Sequence, residues 1–117
     1  MTLSDGELEK LQQAFEEAVA KHRNGDINAA HAIYQKVHQA IPDHSDVLHM
    51  LGVVALQKGK GATAEGFLLQ AVALEPKNSN ILNNLGNSYY IQRKFQLAAD
   101  IYQRASDEDI EGVDPLY

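Results

Sequence analysis

Residues 48–76 have the sequence LHMLGVVALQKGKGATAEGFLLQAVALEP, and residues 82–105 have the sequence LNNLGNSYYIQRKFQLAADIYQRA. Both stretches begin with a Leu-x-x-Leu-Gly motif, and the second motif follows the first by 34 residues. The same period relates further positions, which are Ala30, Ala64 and Ala98; Ile33, Phe67 and Ile101; Tyr34, Leu68 and Tyr102; Val37, Ala71 and Ala105; and Pro42 with Pro76. A fixed period of this length is typical of a solenoid, in which each unit buries its apolar face only against its neighbours.

Helical periodicity and turn signals divide the chain into six helices. A capping box at Ser4 and Glu7 starts the first helix. Asn24-Gly25-Asp26 is a turn signal, and Pro42 and Pro76 end two helices because proline cannot continue one. The predicted helices are Leu8–His22, Ile27–Ala40, Ser45–Lys58, Ala62–Leu74, Ser79–Gln92 and Phe95 to about Ser106. Three antiparallel helix pairs predict an all-α fold.

Composition and charge narrow the function classes. The 117 residues include 10 basic and 16 acidic side chains, a net charge of −6. No run of Lys or Arg follows a phosphate backbone, so we expect no nucleic-acid partner. The chain has no cysteine, which removes disulfides and thiolate chemistry. With neither a signal peptide nor an apolar stretch of about 18 residues, the sequence predicts a soluble, cytoplasmic protein without membrane insertion.

Small residues mark where the two helices of a unit approach each other. Gly52 and Gly86 are expected at the crossing, with Ala64 and Ala98 opposite them on the partner helix. A larger side chain at the crossing would force the two backbones apart, and overpacking of this kind costs about 1–3 kcal/mol. We therefore expect large leucines around each small-residue contact.

These motifs resemble the tetratricopeptide repeat (TPR) signature. The second unit matches through Leu48, Leu51, Gly52, Gly59, Ala64, Leu68, Ala71 and Pro76, and the third through Leu82, Leu85, Gly86, Tyr89, Phe95, Ala98, Tyr102 and Ala105. The first unit matches only in its second half, through Gly25, Ile27, Ala30, Tyr34, Val37 and Pro42, and its first helix departs from the pattern at Ala14, Glu17, Ala18 and Lys21. The resemblance implies a single domain over residues 1–117, a right-handed α-α superhelix with repeats at about 11–44, 45–78 and 79–110. The acidic residues near the end predict a short tail over 107–117.

In TPR proteins the first helix of each repeat lines a concave groove that holds an extended or helical peptide, and the resemblance implies such a groove here. Its candidate residues are Phe15, Val19, His22, His49, Met50, Val53, Asn80, Asn83, Asn84, Asn87 and Tyr90. Asn83, Asn87 and Tyr90 stand at i, i+4 and i+7, so they share one helix face. Asparagine is a mediocre helix former, and its amide can bind a peptide backbone as donor or acceptor. Either these amides grip a backbone, or they are solvated residues on an exposed face.

Other chemistries have weaker support in the sequence. One TPR subclass clamps the carboxylate of chaperone tails with Lys and Arg, and such a clamp is disfavoured because no fixed cation stands at the matching positions. Those positions are Phe15, Val19, His49, Asn83 and Asn87. His31 and His38 lie two helical turns apart, about 10 Å, too far to share a metal ion alone. With no phosphate loop or nucleophile motif, we expect no metal, no cofactor and no catalytic residue.

The last unit has an apolar face that no seventh helix in the sequence covers. Leu97 and Ile101 lie on it, one turn apart, whereas the equivalent Ile33 and Phe67 are expected to pack against the next unit. Three explanations stay open: a second copy covers the face, a further domain follows, or the tail folds back through Ile110, Val113 or Leu116.

The sequence thus predicts a non-catalytic scaffold or adaptor that binds a peptide or extended protein segment in the groove. A second interpretation is the N-terminal TPR module of a larger protein, because residues 47–53 are similar to early repeats of bacterial TPR proteins fused to glycosyltransferase or sulfotransferase domains. A third is a self-association unit that forms a homo-oligomer through the last repeat. His49 in the groove adds the hypothesis that peptide binding depends on pH.

Overall fold

The computed structural model describes residues 2–112, with side chains described as far as residue 109. Within that range it contains six α-helices and no strand. They are α1 (Asp5–Arg23), α2 (Ile27–Ala40), α3 (Ser45–Gln57), α4 (Gly61–Leu74), α5 (Ser79–Ile91) and α6 (Phe95–Gly112). The pairs α1–α2, α3–α4 and α5–α6 are three successive units that pack side by side, so the all-α helical repeat predicted from the 34-residue period is confirmed.

Local sequence accounts for most helix boundaries. The Ser4 hydroxyl accepts a hydrogen bond from the Glu7 amide at 3.1 Å, and the Glu7 carboxylate accepts one from the Ser4 amide at 3.1 Å. The expected capping box is therefore present, and α1 begins one residue after Ser4. Asn78 starts α5 similarly, because its side chain accepts a hydrogen bond from the Ile81 amide at 3.2 Å. The predicted bounds agree with the observed ones fully for α2 and within one residue for α3, α4 and α5.

The turns inside the three units share a residue in the left-handed region. Gly25, Gly59 and Arg93 occupy equivalent positions, with φ values of 87°, 72° and 64°. Glycine adopts this conformation readily, whereas a side chain there costs roughly 1–2 kcal/mol. The third turn therefore keeps the shape of the other two at the expense of strain at Arg93.

Two apolar clusters form the core. One joins α1, α2 and α3 around Tyr34 and Leu51, and the other joins α3, α4, α5 and α6 around Leu68 and Leu85. Phe67 on α4 packs against both clusters. The core is thus continuous from the first unit to the third, as expected for units that bury their apolar faces against each other.

The glycines at the helix crossings lie against large side chains of the partner helix. A Cβ added at Gly52 would lie 2.6 Å from Leu68 Cγ, and one added at Gly86 would lie 2.5 Å from Tyr102 Cε1. The expected contact of the glycines with Ala64 and Ala98 stays a prediction, and both alanines are buried. The space left by each glycine is filled by the bulky residue one turn further along the partner helix.

The last helix is longer than the sequence predicted. Its expected end near residue 106 and the tail assigned from residue 107 were wrong for residues 107–112, which continue α6 to Gly112. α2 and α4 end before Pro42 and Pro76, but the equivalent position in α6 is Ile110, which has a backbone amide and does not interrupt a helix.

A side-chain bond supports the extension of α6. The Gln103 amide donates to Asp107 Oδ1 at 3.0 Å, a pair four residues apart that stabilises a helix. The remaining part of the predicted tail, residues 113–117 with Val113 and Leu116, lies outside the described residues, as does the side chain of Ile110. The hypothesis that the tail covers the last repeat therefore stays a prediction.

Candidate functional site

Groove residues predicted on α1 and α3 meet around one cavity. We call the contact between α1–α2 and α3–α4 the first junction, and the contact between α3–α4 and α5–α6 the second junction. The cavity at the first junction has a volume of about 400 Å³ and is lined by Val19, His22, Arg23, Met50, Val53 and Gln57. Four of these six residues were predicted groove residues, and apolar side chains make up half of the lining.

His22 connects the first junction by hydrogen bonds to two other helices. Its Nε2 lies 2.6 Å from Gln57 Oε1 on α3, and its Nδ1 lies 3.1 Å from the Tyr34 hydroxyl on α2. The Gln57 side-chain oxygen can only accept a hydrogen bond, so His22 Nε2 is the donor. In the neutral ring Nδ1 is then the acceptor, and the Tyr34 hydroxyl donates to it. Burial raises the pKa of Tyr34 to about 12, which keeps the hydroxyl proton available as a donor.

A longer chain of hydrogen bonds crosses the second junction. The Tyr102 hydroxyl on α6 donates to Asn87 Oδ1 at 2.5 Å, Asn87 Nδ2 donates to Asn84 Oδ1 at 3.4 Å, and Asn84 Nδ2 donates to His49 Nε2 at 2.8 Å. The chain runs from α6 through α5 to α3. Two of the predicted groove asparagines thus bind each other and the fold, so they are only partly available to a ligand.

His49 at the end of this chain has to be neutral at Nε2 to accept from Asn84. Burial lowers the pKa of His49, and the nearby carboxylates of Asp46 and Glu75 partly oppose that effect. The neutral ring is therefore favoured, which agrees with its role as acceptor.

Three other predicted residues on α5 are exposed. Asn80 and Asn83 form no hydrogen bond with any described side chain, so both amides are free to bind a ligand. Tyr90 is 58% exposed and packs edge-to-face against Phe95, with ring centroids 5.4 Å apart. This part of the predicted groove is more polar than the part at the first junction.

Phe15 does not line the cavity at the first junction. Its ring packs against Tyr34 and His44, with centroids 5.8 Å and 5.9 Å away, and it belongs to the core cluster around Tyr34. It lines a different cavity of about 330 Å³, together with Leu8, Glu9, Leu11, Gln12, Val37, Ile41 and His44. Sequence reasoning missed this second cavity, because the helical spacing of the α1 residues does not show that Val37, Ile41 and His44 lie against them.

Leu97 and Ile101 lie on α6, as predicted for an apolar face of the last unit. Leu97 is 48% exposed, while Ile101 is partly buried and packs against the second core cluster. Phe95 and Ile91 of the last unit are exposed as well, at 52% and 45%, but Ile91 lies next to Gly61 of the preceding unit. What covers these side chains stays a prediction.

Residues 2–112 contain neither clustered metal ligands nor a helix suited to a bilayer. No group of three or more His, Asp and Glu side chains in that range is arranged to hold a metal ion. Over the same residues, none of the helices combines the length and the hydropathy needed to cross a membrane.

Family comparisons agree with the repeat and the helix pairs. A tetratricopeptide repeat family model matches residues 21–85, more than half of the chain. The chain belongs to the tetratricopeptide repeat family. A second tetratricopeptide repeat model matches residues 79–107 of this TPR protein. No curated protein matches the sequence.

Solved TPR structures are similar over most of the chain. A Thermobaculum terrenum O-GlcNAc transferase mutant is 28% identical with a TM-score of 0.84, and the match covers 92% of this chain but 20% of that one. The first TPR of Spaghetti (RPAP3), bound to an HSP90 peptide, is 21% identical with a TM-score of 0.80, covering 86% and 79%. The Sgt2 TPR domain from Aspergillus fumigatus is 16% identical with a TM-score of 0.80, covering 91% and 70%. The last two similarities show the shared fold alone.

Proposed function

We propose that this TPR protein is a non-catalytic, cytoplasmic interaction module that binds a peptide or an extended protein segment across α1, α3 and α5. The observation that carries the proposal is the 400 Å³ cavity at the first junction, which has free amides on α5 beyond it. TPR domains are interaction modules, and the first TPR of Spaghetti (RPAP3) binds a peptide. For the present chain the binding face is a proposal.

The arrangement of side chains suggests which ligand chemistry fits. An apolar side chain of the ligand would occupy the cavity beside Val19, Met50 and Val53. Asn80 and Asn83 would bind its backbone, since an amide offers both donors and an acceptor. Asn87 is held by Tyr102 and Asn84, so its main role is to position the α5 surface.

A clamp for a terminal carboxylate has little support. Of the residues that line the cavity, Arg23 is the one fixed cation. Binding through apolar contacts and neutral amides depends weakly on salt, because few charges are screened. We therefore expect affinity to change less than about tenfold when salt rises from roughly 50 to 300 mM.

The test uses the tightest peptide selected from a random heptapeptide library against the full chain. Its affinity is measured for the wild type, for Val53→Asp in the cavity and for Asn83→Ala on α5. The matched control is Gln96→Ala, an exposed position on α6. We expect Val53→Asp and Asn83→Ala each to weaken binding about tenfold or more, which corresponds to about 1.4 kcal/mol.

Two results would contradict this proposal. One is an affinity that all three variants leave unchanged, and the other is a tenfold or greater loss on raising the salt. Circular dichroism of each variant shows that the helices are retained, so a loss of binding can be assigned to the face itself.

A second candidate is a TPR module that presents substrate to a larger transferase. The observation that favours it is the similarity to the O-GlcNAc transferase mutant, of which the match covers 20%. It predicts that the native open reading frame continues beyond Tyr117 into a transferase domain. A native protein that ends at Tyr117 would contradict it.

Self-association through the last repeat is a third candidate, because Leu97 on α6 is an apolar side chain with 48% exposure. It predicts that the chain sediments as a dimer and that Leu97→Ser together with Ile101→Ser gives a monomer. An unchanged mass by light scattering would count against it.

A further inference from the structure

A second small cavity at the first junction is surrounded by cationic and polar side chains. It has a volume of about 90 Å³ and is lined by His31, Leu51, Val54, Ala55, Lys58, Lys60, Thr63 and Phe67. Its apolar residues form the floor, and the two lysines and Thr63 are exposed around it. It is separate from the proposed peptide-binding face, because the two cavities share no lining residue.

Positive charge is concentrated around this cavity although the chain as a whole is acidic. Lys58 Nζ lies 3.1 Å from His31 Nδ1. Burial lowers the pKa of His31, and the charges of Lys58 and Lys60 lower it further. Among the described side chains, neither lysine forms an ion pair.

The equivalent place at the second junction contains a carboxylate. Adding 34 to His31, Lys58 and Lys60 gives Glu65, Gln92 and Lys94. There Gln92 Nε2 donates to Glu65 Oε1 at 2.9 Å, and Lys94 Nζ contacts the same oxygen at 3.1 Å.

These bonds favour the charged form of the Glu65 carboxylate. The hydrogen bond from Gln92 lowers the pKa of Glu65, burial opposes it, and Lys94 lowers it further. At the second junction, Glu65 of the second unit thus lies between two donors of the third unit. Gln92 directly follows the first helix of that unit, and Lys94 directly precedes its second helix. At the first junction the same two positions hold cations, but the carboxylate is replaced by an imidazole.

We propose that the first junction binds a carboxylate from an acidic segment of a partner protein, between Lys58 and Lys60, where the second junction has the side chain of Glu65. The neutral ring of His31 lines the site without adding a charge of its own. The apolar floor suits the methylene groups of a glutamate side chain, and two ammonium groups provide charge-assisted bonds. Since Lys58 and Lys60 are exposed, affinity for one carboxylate is weak and falls with salt.

The probe for a single carboxylate is acetate, because its methyl group matches the apolar floor. The ring signals of His31 are followed by NMR while the full chain is titrated with sodium acetate or, separately, with sodium chloride at equal ionic strength. We expect a saturable shift of the His31 signals with acetate and a rise in its pKa, because a bound anion offsets the lysine charges. Chloride should produce only the smaller change due to screening, and His44 in the same spectra is an internal control.

Two variants decide whether the response belongs to this site. In Lys58→Gln combined with Lys60→Gln, the acetate-dependent shift of His31 should be lost. Acetate should raise the melting temperature of the wild type more than chloride does, because it binds the folded protein. In His31→Glu the chain supplies its own carboxylate, so this difference between acetate and chloride should be absent. A glutamate-rich peptide should bind the wild type and bind His31→Glu at least about tenfold more weakly.

The proposal is overturned if acetate and chloride shift the His31 signals equally, or if the shift survives in the double lysine variant. Equal binding of the glutamate-rich peptide to the wild type and His31→Glu would overturn it as well. The reciprocal substitution Glu65→His strengthens the test, since it should create an acetate response at the second junction, where Lys94 remains. All of these measurements are independent of the peptide-binding face, because they use no residue that lines it.

Discussion

The two junctions on either side of α3 have the same backbone plan but different side chains. On the side of α1, α3 and α5, the first junction is a partly apolar cavity bridged by His22 and Gln57, whereas the second is bridged by asparagine amides and His49. Near the turns of the helix pairs, the first junction has Lys58 and Lys60, which form no ion pair with a described side chain. The second junction has the Glu65–Lys94 ion pair at the equivalent place.

The comparison shows that the period determines where side chains meet but not what they do there. Each junction places residues 34 apart in the same positions, so an exchange at one or two of them changes the chemistry of the site. His31 in place of a glutamate is such an exchange. A repeat protein can therefore acquire different binding surfaces without changing its helix packing.

The largest expected difference between the units concerns their equivalent tyrosines. Tyr34 is 0% exposed and Tyr102 is partly exposed, although both face a small residue on the first helix of their unit. Tyr34→Ala should lower the free energy of unfolding by about 3–5 kcal/mol, as expected for a fully buried aromatic residue. Tyr102→Ala should cost less, and urea denaturation of both variants measures the difference. Equal losses would mean that the last unit is packed as tightly as the first.

The next effect concerns the glycine at the crossing of α5 and α6. Gly86→Ala places a Cβ 2.5 Å from Tyr102 Cε1, so the ring has to move, and we expect a loss of about 1–3 kcal/mol. The control is Gly66→Ala, because a Cβ there meets no atom within 4 Å and alanine favours the helix by about 1 kcal/mol. Ala18 holds the equivalent position in the first unit. If Gly86→Ala leaves the free energy of unfolding unchanged, the third unit accommodates an alanine beside Tyr102 as the first unit accommodates Ala18.

A smaller gain is expected in the third turn. Arg93 has φ of 64° where the other two turns have glycine, so Arg93→Gly should raise the free energy of unfolding by about 1 kcal/mol. Gly59→Arg is the matched opposite change and should lower it by a similar amount. Thermal melting of the two variants measures both effects, and a shift of the same sign in both would contradict the strain at Arg93.

The smallest effect is a pH dependence of stability that arises at the His49 bridge of the second junction. Burial lowers the pKa of His49 below its ordinary 6.5, so its contribution to stability is present above that pH and is lost as the pH falls through the folded-state pKa. Acid removes the acceptor that Asn84 needs, because a charged His49 ring carries a proton on Nε2. Urea titrations at about pH 7.5 and 5.5 should show a smaller loss for His49→Gln than for the wild type.

Asn83→Ala is the control for that prediction, because it removes an exposed amide on α5 that forms no bond with His49. It should leave the pH dependence close to that of the wild type. Part of the dependence should persist in His49→Gln, because the pKa of His31 is lowered as well. If His49→Gln has the full pH dependence of the wild type, the hydrogen bond to Asn84 contributes nothing to it.

Much of the architecture was readable from local sequence. The capping box at Ser4, the prolines after two second helices and the Leu-x-x-Leu-Gly motifs act within a few residues of where they stand, so they placed six helices correctly. The one large boundary error came from the acidic end of α6, where charge suggested a tail. Ile110 in place of proline was the signal that the helix would continue.

The candidate site was predictable in part. Period and resemblance selected Val19, His22, Met50 and Val53, and the structure brings them to one cavity. The same reasoning treated Asn83, Asn84 and Asn87 alike, although one is free and two are bonded to each other. It also selected Phe15, whose ring lines the cavity near His44 and whose place in a peptide groove stays a prediction.

The sequence by itself therefore determined the repeat, the helices and the family, because those depend on spacing along the chain. The tertiary structure decided which amides are free, which side chain faces each glycine and which lysines lack a carboxylate. Those facts depend on contacts between residues about 12 to 35 positions apart, whose geometry exists only after the units pack. The period shows which positions are equivalent, and packing shows that His31 and Glu65 make equivalent positions different.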